Sequence, residues 1–109
     1  MEYYFDRKEL YGKSDYQIAV ELGQRFKEMR IALHLTQANV AEQSGVSIMT
    51  LVRFENGKGH TIGLVNLIAL MRAIQQLERV AGLVPELPES LYDKPKDSPK
   101  RVRKSKNEE

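Results

Sequence analysis

Cysteine is absent from the 109 residues of this chain. Without it there are no disulfides, no thiolate metal ligands and no cysteine nucleophile, which fits a reducing compartment. No apolar run approaches the roughly 20 residues that a membrane-spanning helix needs, and the N-terminal residues lack the charged and apolar blocks of a secretory signal. We therefore expect a soluble cytoplasmic protein with no membrane partner.

Residues that could build a catalytic or metal site are equally scarce. The only histidines are His34 and His60, and no cluster of histidines or carboxylates stands at metal-ligand spacing. The segment Gly57–Gly59 is too short for a phosphate-binding loop and follows no predicted strand. No nucleophile–base pair or carboxylate pair stands out. The sequence thus predicts a protein that is not an enzyme and holds no cofactor.

Over most of the chain there is no excess of charge of either sign, because basic and acidic residues nearly balance. The net charge is +2, and residues 93–109 contribute +3 through seven basic and four acidic side chains. Residues 1–92 are close to neutral at −1. Any affinity of that part for nucleic acid must come from the local placement of basic groups rather than from bulk charge.

The composition divides the chain into three parts. Residues 14–84 carry helical patterns and, with 41% apolar residues overall, suit one small domain. Residues 1–13 form an aromatic N-terminal extension to which no shape is assigned. Residues 85–109 hold all four prolines and dense charge, which is typical of an extended or disordered basic tail. Its basic run at 100–106 is a solvated charge run, an arm on DNA, or a segment that docks on an acidic protein.

Start and stop signals predict an all-α fold with five helices. Ser14 and Gln17 form a capping box for the first, over about residues 15–32, and Thr36 and Gly45 bound the second, over about 37–44. The apolar stripe of the first helix is Ile18, Leu22, Met29 and Leu33.

Three more helices follow. Ser47 opens the third, over about residues 48–54, and Asn56 and Gly57 end it. Thr61 caps the fourth, and the fifth covers about residues 76–81. The apolar stripe of the fourth helix is Leu64, Leu67, Ile68, Met71 and Ile74.

Residues 35–57 have the pattern of two short helices that cross at a tight turn. Ala41 is small where the backbones approach, and Gly45 tolerates positive φ in the turn. Three apolar residues seat the second of these helices on the core: Val46, Leu51 and Phe54. Its other face is left for an external partner: Ser47, Ile48, Met49, Thr50, Val52 and Arg53.

This pattern resembles the phage Cro/C1 repressor family of helix-turn-helix proteins, also called the XRE family, over roughly residues 18–75. The residues in register are Arg30, Gln37, Ala41, Gly45, Val46, Leu51, Glu55, Asn56 and Gly57. The resemblance implies a recognition helix that begins near Ser47 and lies in the DNA major groove, with Gln37 beside the phosphate backbone. It also implies a structural ion pair between Arg30 and Glu55.

The predicted DNA-binding residues are Gln37, Ser47, Ile48, Met49, Thr50, Val52, Arg53, Asn56 and Lys58. Ile48 and Met49 pack against a protein partner or meet thymine methyl groups, and Arg53 is solvated or reaches a guanine edge or a phosphate. His60 is a phosphate contact or a plain loop residue. Because many relatives place polar residues where this chain has Ile48, Met49 and Val52, we expect sparse hydrogen-bonded readout and a larger share for DNA shape.

Residues 62–74, 76–80 and 83–88 are further similar to HipB-type antitoxins. Such proteins are dimeric repressors of their own operon and bind a HipA-type serine/threonine kinase toxin. A homodimer on a palindromic operator is expected in any case, because one short recognition helix reads only a few base pairs. The residues that form the interface, or that close the local core instead, are Leu77, Val80, Leu83 and Val84.

Three functional hypotheses follow. The first is a transcriptional repressor that autoregulates its operon as the antitoxin of a HipA-type kinase. The second is a phage or chromosomal repressor without a toxin partner. The third is a protein-interaction module that has lost DNA binding, which the apolar Ile48, Met49 and Val52 keep open.

Overall fold

Seven helices joined by turns make up the described part of the chain, which contains no strand. The structure is a computed structural model and describes residues 6–58 and 62–92. In chain order the helices are α1 (Arg7–Tyr11), α2 (Asp15–Ala32), α3 (Gln37–Ser44), α4 (Ile48–Glu55), α5 (Leu64–Ala73), α6 (Leu77–Ala81) and α7 (Glu89–Tyr92). The helical fold agrees with the prediction, but the predicted count of five was too low.

The bounds of α2 and α3 are those that the capping residues predict. At the start of α2 the Ser14 hydroxyl accepts from the Gln17 amide at 3.0 Å, and the Gln17 side chain accepts from the Ser14 amide at 2.8 Å. α4 is one residue longer than predicted, and α6 begins one residue later. α5 follows Gly63, which provides no side-chain cap. The predicted cap Thr61 lies outside the described residues.

The two additional helices lie at the ends of the described chain. α1 follows Asp6, whose carboxylate accepts the amide of Lys8 at 3.1 Å. After α1, the Lys13 ammonium lies 2.8 Å from the Glu21 carboxylate on α2. α7 falls in the segment predicted to be extended or disordered, and residues 89–92 are helical instead. Residues 93–109, and with them the predicted basic tail, lie outside the described residues.

One core holds α2, α3, α4 and α5 together. The rings of Phe26 on α2 and Phe54 on α4 meet at a centroid distance of 5.5 Å. Pairs of this geometry add to the burial of apolar area. The buried apolar residues are Phe26, Val40, Val46, Leu51, Phe54, Leu70, Ala73 and Ile74.

The buried faces of α2 and α5 agree with the predicted stripes only in part, and of the α2 stripe Met29 packs on the core. α2 buries Gly23, Phe26 and Arg30, whereas Leu22 and Leu33 are exposed. The predicted stripe lacks this face, whose members are a glycine, a phenylalanine and an arginine. On α5 the predicted Leu67, Met71 and Ile74 pack on the core, together with Leu70 and Ala73, whereas the predicted Leu64 is exposed.

Candidate nucleic-acid interface

The turn between α3 and α4 sets the direction of α4. α3 begins after Thr36, whose side chain accepts the Asn39 amide at 2.9 Å, and the Asn39 side chain accepts the Thr36 amide at 3.2 Å. α3 ends at Gly45, which has a left-handed φ of 78° and donates its N–H to the Ala41 carbonyl at 3.0 Å. Nothing lies within 4 Å of the position that a Cβ would take at Gly45. Glycine is therefore favoured there by backbone conformation and not by lack of space.

One face of α4 is fixed to the core. Leu51, Phe54 and Glu55 are buried on the helix, and Val46 is buried just before it. Residues spaced three and four apart lie on the same side of a helix, so these side chains form one continuous inner face. The inward direction predicted for Val46, Leu51 and Phe54 is confirmed.

The opposite face of α4 is open to solvent. Ile48 and Met49 in its first turn are 48% and 60% exposed, and Arg53 one turn later is also exposed. Thr50 and Val52 are half-buried at the edge of this face. The sequence placed these five residues together, and the structure brings them onto one helix surface.

The hydroxyl of Ser47 is engaged at the start of α4. It accepts the Thr50 amide at 3.1 Å and donates to the Thr50 hydroxyl oxygen at 2.9 Å. A serine hydroxyl has a single proton, so the proton of Ser47 is already used within the protein. Thr50 keeps its own hydroxyl proton for another acceptor.

Asn56 and Lys58 flank the end of α4 and are exposed. Asn56 is the C-cap residue, and the Lys58 amide donates to the Arg53 carbonyl at 2.8 Å, which keeps this segment close to the helix end. Arg53 and Lys58 thus contribute two exposed cations at the same end of α4. His60 lies outside the described residues.

A buried ion pair ties α2 to the end of α4. Arg30 Nε lies 2.7 Å from Glu55 Oε2, and Arg30 Nη2 lies 2.8 Å from Glu55 Oε1. The hydrogen bond to the Glu55 carboxylate raises the pKa of the Arg30 guanidinium above its ordinary value, while burial acts in the opposite direction. Arg30 Nη1 also donates to the Leu35 carbonyl at 2.8 Å, which fixes the turn before α3.

Gln37 joins this pair, which the sequence did not indicate. Its Nε2 donates to Glu55 Oε1 at 3.1 Å. From the sequence, Gln37 was expected to contact a phosphate at the start of α3, and Glu55 was expected to pair with Arg30 alone. Because Gln37 and Glu55 are 18 positions apart and on different helices, only the crossing of α3 and α4 brings them together.

Gly23 is a second residue whose role was missed. A Cβ at this position would overlap the carbonyl oxygen of Phe54 and lie 2.9 Å from its carbonyl carbon. The backbones of α2 and α4 therefore touch at this point, which brings the end of α4 within reach of Arg30. A glycine inside an otherwise helical pattern was the available signal, since glycine there is otherwise unfavourable.

These features match a known family. The helix-turn-helix family model matches residues 26–79. The helix-turn-helix match covers about half of the chain and contains all of α3, α4 and α5. In this segment the protein is similar to Cro/C1-type regulators of the XRE family. No curated protein and no solved structure matches the chain.

Over residues 6–58 and 62–92, no helix has the length and apolar character needed to cross a bilayer. Within the same residues, no group of three or more histidines or carboxylates is placed to hold a metal ion.

Proposed function

We propose that this protein is a sequence-specific DNA-binding regulator that represses transcription, with α4 as its recognition helix. The observation that carries the proposal is the two-sided character of α4 within the helix-turn-helix match. Leu51 and Phe54 hold one face in the core, and the other face is free. The major groove of B-form DNA, about 12 Å wide, admits a helix presented in this way.

The residues of the free face take different parts in the proposed complex. Ile48, Met49, Thr50 and Arg53 lie where base edges are contacted, with Val52 at the margin. Arg53 carries a planar set of donors that suits the O6 and N7 acceptors of guanine or a phosphate.

Backbone contacts come from residues that flank α4. Asn56 and Lys58 are exposed beside the helix and face the phosphates with their side chains in this arrangement. Ser47 is also exposed there, but its hydroxyl proton is donated to Thr50, so we assign its backbone N–H to the phosphate contact. Gln37 is half-buried, and its Nε2 has a second N–H besides the one donated to Glu55. That second N–H is the one we assign to a phosphate oxygen.

The active form in this proposal is a homodimer. Leu83 and Val84 follow α6 and are exposed, while Leu77 and Val80 on α6 are half-buried. Exposed apolar side chains next to a half-buried set are suited to contact with a second copy of the chain. Two copies related by a two-fold axis would place their recognition helices in half-sites about 34 Å apart on a palindromic operator.

Fluorescence anisotropy with DNA of the protein's own promoter tests the proposal. We expect the promoter to bind at least about tenfold more tightly than scrambled DNA, with affinity falling steeply as salt rises. Arg53→Ala should erode the preference by about tenfold, because a specific base contact is worth 1–3 kcal/mol. Arg72→Ala is the matched control, since Arg72 is an exposed arginine in the last turn of α5.

Weak and equal binding to both DNAs would contradict the proposal. It would favour instead a protein-interaction module that has kept the fold, for which the exposed Ile48 and Met49 would be the contact residues. A salt dependence without promoter preference would show binding to phosphates alone.

The toxin partner is a finer proposal that rests on the resemblance of residues 62–88 to HipB-type antitoxins. In the described structure Leu87, near the end of this segment, is exposed and is not among the residues assigned to the homodimer, which suits it to a contact with another protein. Co-purification with a HipA-type kinase encoded beside its gene would support an autoregulating antitoxin. The absence of such a complex would favour a phage or chromosomal repressor without a toxin partner.

A further inference from the structure

The first turn of α4 exposes large apolar side chains where a recognition helix meets the bases. Ile48 is 48% exposed and Met49 is 60% exposed, and they are consecutive at the N-terminal end of the helix. Consecutive residues point about 100° apart around a helix axis, so the two side chains cover neighbouring parts of the outer face. This end of a recognition helix is the part that contacts base edges in helix-turn-helix complexes.

Polar groups around this turn are largely used inside the protein. The Ser47 hydroxyl is bonded to the amide and hydroxyl of Thr50. One N–H of the Gln37 amide is held by Glu55. The donors left are the second N–H of the Gln37 amide at the start of α3, the hydroxyl proton of Thr50 and, one turn further on, the guanidinium of Arg53. Apolar contact therefore dominates the first turn.

The major groove offers one prominent apolar group, the C5-methyl of thymine. We propose that Ile48 and Met49 read thymine methyl groups, so that the half-site has A·T pairs opposite the first turn of α4. Ile48 is β-branched and stiff, which suits a fixed methyl position. Met49 is unbranched and adapts its shape to a neighbouring base step. This inference rests on the proposed DNA-binding function.

The experiment begins with selection of preferred duplexes from random double-stranded DNA by the full-length protein. Each thymine in the selected half-site is then replaced by uracil, which keeps the O4 acceptor and the base pairing but lacks the methyl group. We expect about fourfold weaker binding for each contacted methyl removed, the equivalent of ~0.8 kcal/mol for burial of one such group. Replacement of thymines elsewhere in the site should leave binding unchanged.

Variants separate direct contact from DNA shape. Ile48→Ser and Met49→Ser should each lose the discrimination between thymine and uracil at one position, with the fold kept as judged by circular dichroism. Ile31→Ser is the matched control, because Ile31 is 53% exposed on a different helix, α2. It should discriminate as the unchanged protein does.

Failure to select any sequence would overturn the proposed function and this inference with it. A selected site without thymine opposite α4, or one in which uracil binds as tightly, would overturn methyl readout and leave the regulator intact. Uracil discrimination that persists in both serine variants would also overturn it, since DNA deformability would then be the cause.

Discussion

The side-chain amide of Gln37 donates to the carboxylate of Glu55, with Nε2 3.1 Å from Oε1. The same carboxylate accepts two N–H groups of Arg30. One buried carboxylate thus joins the start of α3, the end of α4 and the last turn of the domain's first long helix, α2. A buried charge is tolerated when it is paired and hydrogen-bonded, and here both conditions hold.

Removing Glu55 should therefore cost far more than removing Gln37. Glu55→Ala leaves the Arg30 guanidinium buried without a counter-charge, and we expect a loss of about 3–5 kcal/mol in the free energy of unfolding. Gln37→Ala removes one hydrogen bond and should cost about 1 kcal/mol. Urea unfolding of the two variants measures the difference. Equal losses would contradict the central position of Glu55 in this network.

Gly23→Ala should destabilise the protein through direct overlap of backbone and side chain. The added Cβ would collide with the Phe54 carbonyl, and backbone atoms cannot rotate away as a flexible side chain can. We expect a loss of about 3 kcal/mol or more, measured by thermal or urea unfolding. Gly82→Ala is the control, because the nearest atom to its Cβ is the Glu78 carbonyl oxygen at 3.8 Å. A small effect at Gly23 would show that α2 and α4 can separate at low cost.

Substitutions of Gly45 test the cost of its left-handed backbone conformation, because an added Cβ meets no other atom there. Its φ of 78° is left-handed, and the space around its missing Cβ is open. Gly45→Ala should cost about 1–2 kcal/mol, and Gly45→Asn less, since asparagine adopts this conformation more readily. The urea concentrations at the unfolding midpoints of the two variants measure this difference in stability. If alanine and asparagine were equally harmful, the cause would be something other than φ.

The sequence predicted the helices that have strong local signals. The capping boxes at Ser14 and Thr36 and the left-handed Gly45 mark ends that hardly depend on the rest of the fold, and the bounds of α2 and α3 agree with them. α1 and α7 have five and four residues, too few to show a periodic pattern. α6 is as short as α1 but was predicted, because Gly82 and Pro85 follow it as stop signals.

The candidate site was predictable in composition but not in its internal contacts. The helix pattern placed Ile48, Met49 and Arg53 on one outer face. The bond from Gln37 to Glu55 and the backbone contact at Gly23 depend on how helices cross, which no local pattern records. The buried face of α2 was missed for the same reason, because close approach favours the residue with no side chain.

Val84→Glu should weaken the proposed homodimer. Val84 is 78% exposed after α6, and a glutamate there would place two carboxylates near each other across a two-fold interface. Analytical ultracentrifugation should show a shift toward monomer, with thermal stability of the isolated chain unchanged. Binding to a palindromic operator should fall while binding to a single half-site remains. Val65→Glu is matched in type and also 78% exposed, but it lies at the start of α5 and should keep the dimer. If the dimer persisted in Val84→Glu but dissociated in Val65→Glu, the proposed interface after α6 would be wrong and the interface would lie at the start of α5.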